Sequence, residues 1–478
     1  MTTDGYTSPL GTRYASREMQ LLWGQRHRIG IWRRLWLALA ESERELGLAI
    51  PDAALEEMRA HLDDIDLEAA AAFERRFRHD VMAHVHAFGE QAPAARPFLH
   101  LGATSAFVTD NADLLVMRDA MRLLLGRLLA VLGAQEEFAL AHKGLPCLAY
   151  THFQPAQLTT VGKRATLWLQ DFLMDAEELS QRLETLRLRG CKGTTGTQAS
   201  FLELFDGDHQ RVRELDTRLA VKMGSAGTFA VTGQTYPRKQ DAVLLNALSG
   251  VAQSAAKFAN DIRLLQHEGE LLEPFEAEQI GSSAMAYKRN PMRSERINAL
   301  ARHVIVLQGD PAHTAATQWL ERSLDDSANR RMALPEAFLA VDAILILVHN
   351  VVAGMELRPE VIARHVAERM PFMATERWLM AAAAKGGDRQ DLHEAIRRHS
   401  LEVAERVSRG EPNDLMDRLA SDPAFSGVVD SLEAELDPRR HMGRSEQQTE
   451  NFVVEYLHPH LARVQALASE APPAEVRV

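Results

Sequence analysis

The stretch DAVLLNALSGVAQSAAKFANDIRLLQ, residues 241–266, decides the fold class. Its apolar side chains recur at alternating steps of four and three residues, at Leu244, Leu248, Val251, Ala255, Phe258, Ile262 and Leu265. That spacing gathers them on one stripe of a long α-helix and is typical of helices that cross at a shallow angle. The sequence therefore predicts a long helix that buries one side in a helical bundle.

Working outward, a second stripe of the same period runs through 112–135. Further long helices are predicted from about 158 to 188 and, after Pro291, to about 317. No alternating run of Val, Ile, Thr and aromatic residues is bounded by turn residues, so the strand signals are weak. We expect an all-α fold built around a long-helix bundle that is shared between subunits.

Shorter helical patterns lie on both sides of the long ones. The chain has 478 residues, which is enough for about three domains. We predict three helical domains, with the long-helix bundle in the middle one: 1–104, 105–357 and 358–478.

Composition excludes several classes of protein. The net charge of -12 argues against broad nucleic-acid binding. The only cysteines are Cys147 and Cys191, so a disulfide scaffold is excluded and a reducing compartment, the cytoplasm, is expected. No apolar signal segment starts the chain, and the apolar stretch 341–355 is too short and too polar for a membrane span.

The loop GSSAMAYKRNP, 281–291, concentrates chemistry in one break between helices. Ser282 or Ser283 could act as a nucleophile or a base if nearby cations and N–H groups stabilise the alkoxide. Lys288 and Asn290 could bind carboxylate oxygens. A Ser–Lys hydrolase and a plain helix-capping loop with incidental cations are the competing interpretations of these residues.

Histidines stand in two other polar breaks. RFRHDVMAHVH, 76–86, contains His79, His84 and His86, but their spacing does not suit a metal site on one helix face. One functional histidine, His79, is favoured over a metal site. The alternative is that all three histidines lie at the surface or are hydrogen-bonded within the fold and have no function in a site. THFQPAQ, 151–157, places His152 near a predicted helix start, where a histidine could transfer a proton.

Seven motifs in order, from about Ser8 to the C-terminal region, resemble one family. GSSAMAYKRNP resembles the signature loop of the fumarase/aspartase superfamily. Together with it, KRNPMRSER, THFQPAQLTTVGKR, KGTTGTQASFL, HLGATS, RHDVMAHVH and LDDSANRR resemble the adenylosuccinate lyase family, specifically its animal-type branch.

The resemblance implies three helical domains and a homotetramer with a 20-helix core, in which three subunits contribute to each active site. It implies β-elimination of fumarate from adenylosuccinate, giving AMP, and from succinyl-AICAR ribotide, giving AICAR. This is a reaction of purine nucleotide biosynthesis that uses no cofactor and no metal.

The resemblance also assigns roles to residues. Ser282 matches the general base that takes the Cβ proton, His152 the general acid that protonates the departing nitrogen, and His79 a supporting catalytic histidine. Substrate contacts are implied for Arg13 and Tyr14 at the phosphate, Thr104 and Ser105 at the succinyl end, and Arg78, Asp80, Gln234, Lys288, Asn290, Arg296, Arg322, Ser327 and Arg331.

Ala286 stands where the family loop usually has proline, which should make the loop more mobile. Two other functions stay open at this point. One is a lyase for another succinyl substrate such as argininosuccinate, against which Arg13, Tyr14, Arg322 and Arg331 argue because they suit a phosphate. The other is a catalytically silent structural protein on the same scaffold, against which the presence of both Ser282 and His152 argues.

Overall fold

The structure is a computed structural model that describes residues 5–276, 278–285, 287–472 and 476, without the side chains of residues 430 and 431. Ala286 lies outside the described residues. The N-terminal part is helical, as predicted. It begins with a π-helical turn, Leu10–Tyr14, and continues through α1 (Arg17–Leu22), α2 (Gln25–Glu45), α3 (Asp52–Ala60), α4 (Leu67–Phe77) and α5 (Asp80–Gln91).

The central part is a bundle of long helices. All seven positions of the 241–266 stripe are buried, as are Leu114 to Val131 of the second stripe, which confirms both predicted helices. The long helices α6, α7, α10, α11 and α13 pack against one another. The helices of this part are α6 (Ser105–Ala141), α7 (Val161–Thr185), α8 (Ala199–Leu204), α9 (His209–Lys222), α10 (Lys239–His267), α11 (Met292–Leu307), α12 (Gly309–Thr317) and α13 (Asp326–Gly354).

Among the described residues, one helix is long and apolar enough to cross a membrane by length and composition alone. That helix is α13, and 72% of its most apolar window is buried inside the protein. Its apolar character therefore has a sufficient cause in its central place in the bundle, where it contacts α6, α10 and α11.

Two short antiparallel ribbons interrupt the helices, and the first corrects the sequence analysis. Strand β1 (Pro146–Thr151) pairs with β2 (Gln154–Thr160), and β3 (Leu271–Leu272) pairs with β4 (Glu356–Leu357). The helix expected from about 158 therefore starts only at Val161, where the Thr160 hydroxyl accepts a hydrogen bond from the Lys163 N–H. The helix expected over 291–317 is divided at Gln308 into α11 and α12.

The C-terminal part contains further helices and a second apolar core. This core is separate from that of the bundle and joins Trp378 and Leu415 to Cys147 of β1. The domain boundaries near 104 and 357 stay a prediction. The helices are α14 (Pro359–Ala384), α15 (Arg389–Ser408), α16 (Leu415–Ser421), α17 (Val429–Leu432), α18 (Ser445–Asn451) and α19 (His458–Leu467), with short 3₁₀ turns (Pro423–Phe425, Glu433–Leu436 and Pro438–His441) and a π-helical turn (Phe452–Leu457).

One carboxyl group of α2, that of Glu43, is buried without a hydrogen-bond partner among the described residues. Glu43 is fully buried, and neither of its carboxyl oxygens has a hydrogen-bond partner among the described residues. Burial raises the pKa of Glu43 to about 9, because a charged carboxylate is poorly solvated there. The folded protein therefore keeps this group protonated at neutral pH, whereas the unfolded chain ionises it.

Replacing Glu43 with glutamine should make the stability of the protein less sensitive to pH. The pKa of Glu43 is raised by folding, so its ionisation favours the unfolded chain. The free energy of unfolding is therefore highest below the unfolded pKa near 4.5 and decreases progressively as the pH rises towards 9. We expect the advantage of Glu43→Gln in unfolding free energy to grow by about 1.4 kcal/mol per pH unit between pH 5 and 8. Denaturant unfolding across this range measures it.

Glu41 provides the matched control on the same helix, because its carboxylate is paired with Arg59 at 2.6 Å. Glu41→Gln should show no advantage that rises with pH in this way. An advantage of Glu43→Gln that stays constant between pH 5 and 8 would show that Glu43 is ionised in the folded protein.

Candidate active site

A cavity of about 520 Å³ gathers predicted site residues from three separate stretches of sequence. It lies where the N-terminal helices meet the starts of α6, α10 and α13. Its lining includes seven of the residues named from the sequence: Arg78, His79, Asp80, Ser105, Arg322, Ser327 and Arg331.

His79 and Ser105 form a hydrogen-bonded pair at this cavity. His79 is the N-cap of α5, and its Nδ1 accepts the Met82 N–H at 3.3 Å. Its other ring nitrogen, Nε2, lies 3.2 Å from Ser105 Oγ. Because Nδ1 accepts, the neutral ring carries its proton on Nε2 and donates it to the Ser105 hydroxyl. Thr104, the N-cap of α6, directly precedes Ser105 but is not part of the cavity lining.

Arginines stand at the rim, each held by one partner. Arg322 Nη1 donates to Gln234 Oε1 at 2.9 Å, which brings two predicted contacts together although Gln234 itself does not line the cavity. Arg331 lies 3.8 Å from Asp80, and 59% of the Arg331 side chain and 43% of the Asp80 side chain are exposed. Pairs of this kind contribute little to stability, so these guanidinium groups are available to an anionic ligand.

The floor of the cavity is a buried network of charges that the sequence analysis missed. Its members are the buried Asp110 and the partly exposed Asp113 on α6, and the buried Arg238 before α10 and Asp326 and Arg330 on α13. Three of them lie in polar stretches of the sequence: Arg238 in 232–239, and Asp326 and Arg330 in 321–331. However, adjacent arginines such as Arg330 and Arg331 look alike in a sequence, and nothing in the spacing indicates which one is buried.

Two predicted substrate contacts, Tyr14 and Arg296, meet outside this lining. The Arg296 guanidinium carbon lies 5.4 Å from the centre of the Tyr14 ring, a cation–π arrangement. Arg13 lies one residue earlier, in the exposed turn Leu10–Tyr14. This segment is anchored behind by Ser16, whose N–H donates to the buried Asp342 carboxylate at 2.7 Å. This hydrogen bond fixes the position of the segment and therefore the place on the protein surface where Arg13 and Tyr14 lie.

The 281–291 loop folds back on itself. Asn290 Nδ2 donates to the Gly281 carbonyl at 2.7 Å, and the Lys288 N–H donates to the Met285 carbonyl at 3.0 Å. At Gly281 a Cβ atom would lie 2.2 Å from the Lys288 carbonyl oxygen, so only glycine permits this closure. Ser282, Lys288 and Asn290 do not line the cavity of the same chain.

Within that loop, Ser282 is distinguished from its neighbour. Ser282 Oγ accepts the N–H groups of Ala284 at 3.4 Å and Met285 at 3.2 Å. Ser283 Oγ has no hydrogen-bond partner among the described residues. N–H donors that point at an oxygen stabilise negative charge on it, so Ser282 is the better candidate for an alkoxide base.

His152 lies at the tip of the β1–β2 ribbon, not at the helix start that the sequence suggested. His152 and Phe153 form a two-residue turn with φ values of 53° and 56°, and both side chains are exposed. His152 does not line the cavity of its own chain, so the candidate acid and the candidate base both lie outside it.

The other two histidines of the 76–86 stretch have separate surroundings. His84 packs edge-on against Trp32 at 5.5 Å, and burial, with the nearby Arg33 charge, lowers its pKa to about 4. His86 stacks on Phe77 at 4.7 Å. Of the three, only His79 reaches the cavity. No group of three or more His, Cys, Asp or Glu residues in the described part of the chain could hold a metal ion.

Comparisons with known proteins show which families and proteins the chain is similar to. Residues 38–306 match a family described as lyase, and residues 371–452 match a family described as adenylosuccinate lyase C-terminus. Adenylosuccinate lyase from Saccharomyces cerevisiae is 50% identical over 94% of both chains, and that from Schizosaccharomyces pombe is 48% identical over 97% of both.

Solved structures support the fold. The 3-carboxy-cis,cis-muconate lactonizing enzyme from Pseudomonas putida superposes with a TM-score of 0.78 at 22% identity, covering 95% of this chain and 98% of its own. At that identity the likeness concerns the fold alone.

Proposed function

The chain belongs to the adenylosuccinate lyase family, and on that premise we propose that it is a carbon–nitrogen lyase of purine nucleotide biosynthesis. It releases fumarate by β-elimination from adenylosuccinate, leaving AMP, and from succinyl-AICAR ribotide, leaving AICAR. The near-full-length identity of about one half to two fungal members carries this proposal. The cavity supports it, because its rim of arginines suits a substrate that bears carboxylates and a phosphate.

The chemistry requires a base, an acid and prepared charge. The hydrogen on the carbon next to a carboxylate is weakly acidic, and its removal builds a second negative charge on that carboxylate. Ser282 takes this proton, with its alkoxide stabilised by two N–H groups of its own loop. His152 gives a proton to the departing nitrogen. Lys288 and Asn290 bind the succinyl carboxylates and stabilise the charge that develops there.

The remaining predicted contacts divide between the two ends of the substrate. At the succinyl end, Thr104 and Ser105 hold the carboxylates, and His79 orients the Ser105 hydroxyl through their hydrogen bond. Phosphate and nucleotide contacts are assigned to three groups of residues: Arg13 with the cation–π pair Tyr14 and Arg296, Gln234 beside Arg322, and the cavity-lining residues Arg78, Asp80, Arg322, Ser327 and Arg331.

A single chain does not bring the base and the acid to its own cavity, so we assign the complete site to several copies. Large apolar side chains lie exposed on the bundle helices: Leu167 and Met174 on α7, Leu264 on α10, and Val306 on α11. Exposed apolar side chains on long helices suit burial against identical helices. In this assembly a homotetramer combines α6, α7, α10, α11 and α13 of each copy in a 20-helix core, and each site takes residues from three subunits.

The proposal includes no cofactor, metal or nucleic acid, since base, acid and oriented donors are sufficient for an elimination. We assign the chain to the cytoplasm, where its two buried thiols would stay reduced.

A direct assay tests the proposed function. The purified protein should release fumarate from adenylosuccinate and from succinyl-AICAR ribotide, measured as a change in ultraviolet absorbance. Release from argininosuccinate only would assign it to the other succinyl-amine lyases. If the protein is folded by circular dichroism but releases fumarate from no succinyl substrate, it is the catalytically silent structural protein instead.

A further inference from the structure

We propose that Arg238 is a positioning residue that holds the substrate-binding side chains Ser327 and Arg331 at the cavity. This inference rests on the proposed function and adds a residue that performs no chemistry itself. Arg238 stands directly before α10, whereas Ser327 and Arg331 lie in the first two turns of α13. The connection between them is the buried charge network in the cavity floor.

One hydrogen bond of this network fixes the start of α13. Arg238 Nε donates to Asp326 Oδ2 at 2.6 Å, and Asp326 is the first residue of α13, next to Ser327. Arg238 Nη2 also donates to Asp110 Oδ1 at 3.2 Å, on α6. The exposed fractions of Arg238, Asp326 and Asp110 are only 4%, 1% and 3%. Arg238 therefore joins the starts of α10 and α13 to α6 in a water-poor layer.

A second guanidinium anchors the next turn of α13. Arg330 Nε donates to Asp241 Oδ2 at 2.6 Å, and its Nη2 reaches Asp113 Oδ2 at 3.3 Å. The Tyr236 hydroxyl donates to Asp241 Oδ1 at 2.6 Å and also contacts Arg330. Adjacent residues of a helix point in different directions, so Arg330 faces inward to the floor while Arg331, the next residue, lies at the rim.

Charge balance decides between positioning and direct attraction of the substrate. Together with their ion-pair partners Asp241 and Arg28, the floor residues include four carboxylates and three guanidinium groups in the described part of the chain: Asp110, Asp113, Asp241 and Asp326 against Arg28, Arg238 and Arg330. Such a layer has no excess positive charge to offer an anion. The rim arginines Arg78, Arg322 and Arg331 provide it instead, so the network contributes by fixing where the rim groups stand.

Arg238 and Asp326 are joined by a single hydrogen bond. Arg238 Nη1 and Asp326 Oδ1 are both buried without a hydrogen-bond partner among the described residues, so the two side chains share only the one bond. Removal of the guanidinium would leave the Asp326 carboxylate buried and uncompensated. The first turn of α13 would then move towards a position that solvates this charge and would displace Ser327.

The test compares substrate binding with turnover in Arg238→Met. We expect KM for adenylosuccinate and the dissociation constant of AMP to rise about tenfold, the loss of roughly one charge-assisted contact, while kcat stays within about threefold. A purely structural defect would lower the folded fraction, which lowers apparent kcat and leaves KM unchanged. Calorimetric titration with AMP gives a measurement that does not depend on turnover.

Arg33→Met is the matched control, because Arg33 is equally buried, at 1% exposure, but does not line the cavity. It should lower stability without raising KM. If Arg238→Met does not fold, the double variant Arg238→Met/Asp326→Leu removes this ion pair and leaves Asp110 with the Tyr236 N–H as donor, so it should recover part of the stability while KM stays raised. An unchanged KM in whichever of the two Arg238 variants folds overturns the inference. A wild-type protein that releases no fumarate would contradict the proposed function instead.

Discussion

Replacing Ser282 with alanine is expected to lower kcat for fumarate release by about 10³-fold, the contribution of a positioned general base. The substitution removes the one hydroxyl in the loop that accepts two backbone N–H groups, at 3.4 Å and 3.2 Å. KM and the binding of AMP should change little, because the base acts on the Cβ proton and is not needed to hold the nucleotide. Initial rates by absorbance, with AMP binding by calorimetry, measure both.

Ser283→Ala is the control for this prediction, since Ser283 stands next in the same loop with its side chain exposed. It should keep kcat within a few-fold of wild type, because its hydroxyl has no N–H donor among the residues that the structure describes. If Ser283→Ala abolishes release and Ser282→Ala does not, the base is Ser283. If both variants stay active, neither serine takes the proton.

The long helices could be predicted because their packing is periodic. The positions from Leu244 to Leu265 are buried for the reason that their spacing indicated, namely that one stripe faces neighbouring helices. Helix boundaries were less accurate where turns decided them. The start of α7 shifted because Gln154–Thr160 pairs as a strand.

The β1–β2 ribbon could not be predicted from local signals. Both turn residues have positive φ, which Asn and Gly usually supply, but here they are His152 and Phe153. Pro155 also stands inside β2, and the register shifts between Leu148 and Tyr150. A proline and an irregular register remove the regular alternation by which a strand is found.

The candidate site was found through motif resemblance more than through physical pattern. Hydroxyl, imidazole and guanidinium groups in polar breaks indicated chemistry, but the breaks lie far apart in sequence and only folding brings His79 to Ser105. The buried floor was missed because Arg238 and Arg330 stand in segments that look solvated. Burial of a charge depends on partners from other helices, and one sequence does not reveal these partners.

Replacing His152 with alanine is the second change with a large expected effect, a decrease in kcat of about 10²–10⁴-fold from loss of the general acid. Because the histidine lies at an exposed turn and makes no contact with the cavity of its own chain, fold and stability should be preserved. Circular dichroism and thermal melting check the fold, and the absorbance assay checks turnover. A fully active His152→Ala would exclude this histidine as the acid.

The same variant tests whether the site is shared. When His152→Ala and Ser282→Ala chains with different affinity tags are co-expressed, hetero-oligomers purified on both tags should regain activity. If each site takes its histidine and its serine from different subunits, about a quarter of the sites in a random mixture receive both native groups.

Co-expressed His152→Ala and His152→Gln chains are the control and should stay inactive, since no site can then contain the imidazole. Hetero-oligomers of the first pair that stay inactive would mean that one subunit supplies both groups, and the 281–291 loop and the β1–β2 ribbon of one chain would then have to meet over a single cavity.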